Sequence, residues 1–210
     1  MFLIGGGREP DGVAASHAPF LEACDGDVLC VCLDEPERWT AALAGARVRT
    51  TAAPAPGDLE GVRGVYVAGG LTPAYWDVVC TGEFGAALRT WDGVYAGFSA
   101  GAAIAAGQAI VGGWRIGGVP VCDSDFGEEL DEVDVRPGLG LCSFAVDVHA
   151  SQWGTLTRLV QAVSAGLVSS GVAVDEHTCV EVRGEELTVH GWGRAYRVGL
   201  GTCHVLGSGS

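Results

Sequence analysis

The chain predicts an α/β fold built on a doubly wound, mostly parallel sheet of the flavodoxin-like kind. Three observations carry this. Short apolar runs alternate with helical patterns through the first hundred residues, which is the signature of βα units. Glycine-rich turns follow three of those runs: Gly5-Gly6-Gly7, Gly69-Gly70 and Gly97 to Gly101. In a parallel sheet such turns sit at the carboxyl ends of the strands, where they converge on one crevice.

The elements follow in order. Phe2-Leu3-Ile4 is a first strand, and residues 12–24 suit a helix interrupted by Pro19. Asp27 to Leu33 is a second strand, closed by Asp34-Glu35-Pro36. Residues 36–44 suit a short helix with Pro36 in its first turn, and Val48 lies in a weak third strand. Gly64 to Ala68 is a strand, Thr72-Pro73 caps and starts a helix to Cys80, and a second helix fits 83–90. Beyond residue 107 the chain is less regular. Residues 107–121 carry five glycines among short β runs. Residues 123–134 are dense in carboxylates, so they read as a solvated acidic segment or as a rim that attracts a cation. A helix fits 155–165. The tail alternates over Val172 to Asp175, Cys179 to Arg183, Leu187 to His190 and Ala195 to Val198, with Gly184-Glu185 as a hairpin turn. These late strands predict a small antiparallel β extension over about residues 170–200. Residues 1–210 are read as a single α/β domain carrying it.

Composition narrows the function classes. The net charge of −14 disfavours nucleic acid and anionic membranes, because phosphate binding needs clustered cations. It permits a cationic small-molecule or peptide substrate. No apolar run is long enough to span a bilayer. Met1 to Gly7 lacks a basic n-region and reads as a first strand rather than a signal peptide, so the expected location is cytoplasmic. None of the eight cysteines forms Cys-x-x-Cys, and no histidine pairs with one at ligand spacing. Neither a disulfide framework nor a metal is expected, and no cofactor motif is present. Cys30 and Cys32 alternate in a strand and read as packed thiols.

Gly97-Phe98-Ser99-Ala100-Gly101 fits Gly-x-Ser-x-Gly in the right setting. An apolar run precedes it, and Ala102 to Ala106 follows without a helix breaker. Strand, tight turn and helix together would hold the Ser99 hydroxyl out at the end of the sheet, beside free backbone N–H groups. A nucleophile needs both the exposed oxygen and the donors. Read plainly, Ser99 is only a helix N-cap. A serine nucleophile also needs a base. Of the five histidines, His149 alone ends a buried-looking strand, Phe144 to His149, ahead of a helix. Asp147 lies two residues before it on the same side of the strand. It could orient the imidazole or bind substrate.

Taken together, Gly69-Gly70-Leu71-Thr72, Gly97 to Ala102, and Asp147-Val148-His149 with Arg158 downstream resemble the cyanophycinase and aspartyl dipeptidase family of serine peptidases. That family shares the class I glutamine amidotransferase-like fold. Leu3 to Gly7 and Val174 to Thr178 resemble its cyanophycinase branch. The resemblance implies that Ser99 attacks an amide carbonyl and that His149 is its base. It implies that the N–H of Ala100, with one from Gly70 or Leu71, holds the oxyanion. It places Thr72, Asp147, Gln152 and Arg158 near the substrate, with Arg158 able to fork onto a substrate carboxylate. The other reading of Arg158 is a surface helix charge. Two features depart from the family. Leu71 and Thr72 stand where members carry a polar Asn or Gln. The arginine-rich segment after the histidine is reduced to Gln152, Trp153 and Arg158. The third triad carboxylate stays open among Asp123, Glu128 and Glu176. The expected activity is hydrolysis of a small peptide or isopeptide-type amide. Acyl transfer, cyclisation or elimination on the same scaffold, and a non-catalytic binding protein, are the alternatives. A cysteine-dependent glutaminase is disfavoured by the serine at the elbow. A homodimer is a further expectation from the resemblance.

Overall fold

A computed structural model describes residues 1–207. The first half runs β1 (Phe2–Ile4), α1 (Pro10–Ala23), β2 (Asp27–Val31), α2 (Pro36–Ala42), β3 (Arg47–Thr51), β4 (Gly64–Val67), α3 (Thr72–Cys80), α4 (Glu83–Leu88), β5 (Val94–Phe98) and α5 (Ala100–Ile104). Then come β6 (Gln108–Gly112), β7 (Arg115–Ile116), β8 (Val119–Pro120), β9 (Asp134–Pro137), β10 (Ala145–Val148) and α6 (Thr155–Ser164). The tail holds β11 (Gly171–Val174), β12 (Thr178–Arg183), β13 (Glu186–Gly191), β14 (Ala195–Gly199) and β15 (Thr202–Leu206).

The central sheet has seven strands in the order β13-β12-β1-β5-β4-β2-β3. The five from β1 to β3 are mutually parallel. Their middle members are buried on both faces, which is why Val28 to Val31 and Val65 to Val67 carry no charged side chain, and the one hydroxyl among them, that of Tyr66, is paired with His17. The weak third strand is the sheet edge, where β3 keeps two arginines in solvent. β5 lies between β1 and β4, so the elbow is flanked by Gly5 to Gly7 on one side and Gly69-Gly70 on the other.

The late strands pair with one another antiparallel, but they do not form one small extension: they divide between two sheets, and β11 also pairs parallel with β10. β12 and β13 extend the central sheet through β1, joined by the predicted hairpin, in which Arg183 faces Glu186 and Gly184 adopts φ 62°. β14 and β15 join β10 and β11 in a second sheet, ordered β10-β11-β14-β15. There β10 and β11 are parallel, so their carboxyl ends point the same way. α6 covers this sheet with Thr155, Arg158, Leu159, Ala162 and Val163, the i, i+3, i+4 stripe of an amphipathic helix. Leu159 and Ala162 pack there with Ala145, Ala173 and Val198 as a second small core.

Two local expectations are corrected. Pro19 does not interrupt the first helix, which runs unbroken from Pro10 to Ala23. Its missing N–H costs one backbone bond, and burial of Phe20 and His17 against the sheet holds the helix through it. Thr72 does not cap α3. Leu71 is the cap residue and Thr72 is the first helical residue. Cys30 and Cys32 are packed, buried thiols, and burial pushes both above the usual thiol range. No helix among the described residues is long and apolar enough to cross a membrane.

Candidate active site

Ser99 stands between β5 and α5 with φ 50° and ψ −110°, a backbone conformation that a residue with a Cβ rarely adopts. The turn is held from both sides. The Ser99 N–H donates to the Ile4 carbonyl (2.8 Å) and the Gly101 N–H to that of Ala68 (3.2 Å). A Cβ at Gly97 would strike the Gly101 carbonyl, and one at Gly101 the Val67 carbonyl. Both glycines are therefore steric requirements of the turn. Ser99 makes no side-chain cap bond. Its Oγ lies 2.8 Å from His149 Nε2 instead.

His149 follows the last residue of β10 with φ 56°, and its N–H donates to the Gly5 carbonyl (3.0 Å). Gly6, at φ 115°, passes so close that a Cβ there would enter the imidazole. The opposite nitrogen, Nδ1, lies 2.7 Å from Glu176 Oε1. A carboxylate only accepts, so Nδ1 carries the proton and Nε2 is left to accept from the Ser99 hydroxyl. Glu176 follows β11, the parallel neighbour of β10. Its own N–H donates to Gln152 Oε1 (2.9 Å). The hydrogen bond from His149 holds the Glu176 carboxyl below its ordinary range, against the opposing effect of burial.

Of the three carboxylates left open by the sequence, Glu176 is the one in contact with His149. Asp123 caps its own turn by accepting from the Asp125 N–H. Glu128 accepts from the Thr72 N–H at 2.8 Å.

The N–H groups of Ala100, Gly70 and Leu71 have no protein acceptor among the described residues. Gly70 and Leu71 line the same crevice as Ser99, and a Cβ on Gly69 would come within 3.0 Å of Ser99 Cβ. These donors are available near the hydroxyl.

The expected substrate residues fare differently. Thr72 is buried, with its N–H taken by Glu128. Gln152 orients the Glu176 backbone. Asp147 and Arg158 bind each other: Nε donates to Oδ2 (2.9 Å) and Nη2 to Oδ1 (2.7 Å), and both side chains are almost wholly buried. The remaining nitrogen, Nη1, donates to the carbonyls of Gly113 and Phe126. Arg158 is thus neither a surface charge nor a fork open to substrate. Burial alone would lower its pKa, and Asp147 more than offsets that, so it stays charged. Asp147 does not touch the imidazole either. The positive φ of His149 breaks the strand's alternation, so the two side chains diverge.

Most carboxylates of the acidic segment are exposed, as a solvated run predicts, while Phe126 and Glu128 are half-buried against the site. Phe126 stacks on Trp153 (centroids 4.7 Å apart), and Trp153 stacks on His149 (3.6 Å). Glu128 and Glu129 adopt φ 56° and 62° and, with Asp125, form one wall of the crevice. Burial raises the Glu128 carboxyl, partly countered by the Thr72 N–H. Arg8, Asp34 and Leu71 stand in other walls of this crevice of about 620 Å³. Sequence reasoning missed Phe126, named Glu128 only as a candidate triad carboxylate, and gave Trp153 no role in the site. The one available signal was Trp153, four residues after His149. Among the described residues, no group of three or more His, Cys, Asp or Glu could hold a metal ion.

Fold and site together define a mostly parallel α/β protein with a Ser–His–Glu chain at its strand ends. No family model and no curated protein matches the chain. Among solved structures it is similar to a peptidase from an acI-B1 Actinobacterium, with TM-score 0.70 and 15% identity over 100% of this chain and 94% of that one. It is also similar to a putative peptidase E from Listeria monocytogenes EGD-e, with TM-score 0.59 and 18% identity over 91% and 98% of the two chains. The likeness is one of fold.

Proposed function

We propose that the chain is a serine-dependent amidohydrolase or peptidase that cleaves a small peptide or isopeptide-type amide. The observation that carries this is the continuous hydrogen-bonded chain from Ser99 Oγ through His149 to Glu176, set at a strained strand-to-helix elbow. The peptidases with the same fold support it.

In this reading Ser99 Oγ attacks the amide carbon while its proton passes to His149 Nε2. Glu176 stabilises the imidazolium through Nδ1. The tetrahedral oxyanion accepts from the Ala100 N–H and from that of Gly70 or Leu71, donors worth about 3–4 kcal/mol each in comparable sites. His149 then returns the proton to the leaving nitrogen as the C–N bond breaks, leaving an ester on Ser99. Water attacks that ester and gives a proton to His149, which returns it to Ser99 Oγ as the ester C–O bond breaks, releasing the acid and the free serine. The acidic wall of Asp125, Glu128 and Glu129 supports a substrate with a cationic group.

The test is a panel of β-aspartyl, α-aspartyl and arginyl amides turned over in ¹⁸O-enriched water. Hydrolysis places one heavy oxygen in the acid product, and Ser99→Ala abolishes it. Turnover without heavy oxygen would indicate transfer or cyclisation and overturn the hydrolytic reading.

A further inference from the structure

Between α1 and α2, beside the crevice, lies a second cavity of about 440 Å³. Its walls are mainly apolar: Val13, Ala14, Ala18, Leu21, Ala42 and Phe98. It shares Gly7, Arg8, Arg38, Trp39 and Phe98 with the crevice, so the two are lobes of one cleft. Phe98 lines both lobes and immediately precedes Ser99, which lines the crevice.

Both ring nitrogens of the one histidine in its lining are already paired. His17 is fully buried there, with Nε2 paired to the Tyr66 hydroxyl (2.8 Å) and Nδ1 to the Val13 carbonyl (2.7 Å). A lobe of this size, lined this way and opening on a polar crevice, has the make-up of a small-molecule site. Nothing in the triad chemistry uses it.

We infer that this lobe is an apolar subsite, and that the substrate amide carries an alkyl chain or aromatic ring on one side of the scissile bond. This rests on the reading of Ser99 as nucleophile. The small side chains on the facing helices leave the volume open, and the alanines set its width. Filling it removes water from apolar walls, worth about three- to fourfold in affinity for each methylene buried.

Two measurements separate this inference from the reading beneath it. In the first, N-octylacetamide is titrated into Ser99→Ala and followed by methyl NMR. Shifts are expected at Val13 and Ala14, and that of Val13 is lost when Ala14→Arg is added, an exposed helix position where the long side chain fills the lobe. In the second, wild type reacts with methyl, butyl and octyl phosphonofluoridates and is followed by intact mass. The rate of Ser99 adduct formation is expected to rise roughly tenfold or more from methyl to octyl. Ala14→Arg keeps the methyl rate and loses the rise. Absence of shifts, or the same rise in the variant, overturns the subsite. So does a concentration-dependent dimer abolished by Ala14→Arg in a protein that ignores N-octylacetamide, since a second copy would then be the occupant. Shifts without any phosphonylation would keep the subsite and overturn the nucleophile.

Discussion

The indole of Trp153 lies flat on the imidazole of His149, with centroids 3.6 Å apart and planes within 7°. The indole is itself backed by Phe126. The ring that bridges Ser99 and Glu176 is therefore held in plane by an aromatic stack as well as by hydrogen bonds at both nitrogens. Trp153→Ala is expected to lower kcat by roughly ten- to a hundredfold with little change in KM, because a small misplacement of a catalytic base is costly. Trp153→Phe restores most of it. Steady-state kinetics on the three proteins checks this. An equal loss in Ala and Phe variants would contradict the stacking role.

The Asp147–Arg158 pair ties β10 and α6 to the acidic segment through the Phe126 carbonyl. Removing one partner leaves a buried charge. Arg158→Met is expected to cost about 3–5 kcal/mol of stability. Adding Asp147→Leu should recover much of that, because the orphaned carboxylate goes too. Denaturant unfolding of the two singles and the double measures the coupling. Additive losses would contradict it.

Much of this site was legible in the sequence because it breaks local patterns. Glycines crowd Ser99 between a β run and an alanine run, and only a sharp turn needs that. His149 ends a strand at the point where α/β chemistry gathers. What stayed illegible depends on pairings that no periodicity encodes. Glu176 reaches His149 because Val148 pairs with Val174 in parallel register, which brings the ends of β10 and β11 together. That register is not written in either strand alone. Asp147 and Arg158 looked available for substrate because each was read singly, while in the fold each satisfies the other. The acidic segment looked solvated by charge, and most of its carboxylates are, yet Phe126 and the polar contacts of Glu128 fold it onto the site.

In the proposed mechanism Glu176 serves both activity and acid stability. Glu176→Gln keeps the size and removes the charge that stabilises the imidazolium, so kcat is expected to fall by about 10²- to 10⁴-fold. Its folded pKa is depressed by the hydrogen bond from His149. That stability is complete above the unfolded value of about 4.3 and fades as pH falls through the folded value. The acid limb of Tm against pH is thus expected to be shallower in Glu176→Gln than in wild type. Superimposable acid limbs would contradict the pairing.

His17 gives a second handle on acid stability, outside the hydrogen-bonded Ser99–His149–Glu176 chain. Burial holds its pKa down to about 4, so the folded protein keeps it neutral. The unfolded chain takes up its proton near pH 6.5, so this stability is complete above that pH and is lost as pH falls toward 4. The full effect is about 3 kcal/mol. His17→Gln is expected to be less stable at pH 7 and to lose less between pH 7 and 5 than wild type, as read by denaturant unfolding at the two pH values.

The proposed mechanism stands on Ser99 being a nucleophile activated by His149. The most direct measurement is intact mass after treatment with a small fluorophosphonate, on wild type, Ser99→Ala and His149→Ala. Wild type is expected to carry a single adduct, mapped to Ser99, that is absent from both folded variants. No adduct on folded wild type, or an adduct that survives Ser99→Ala, would contradict it.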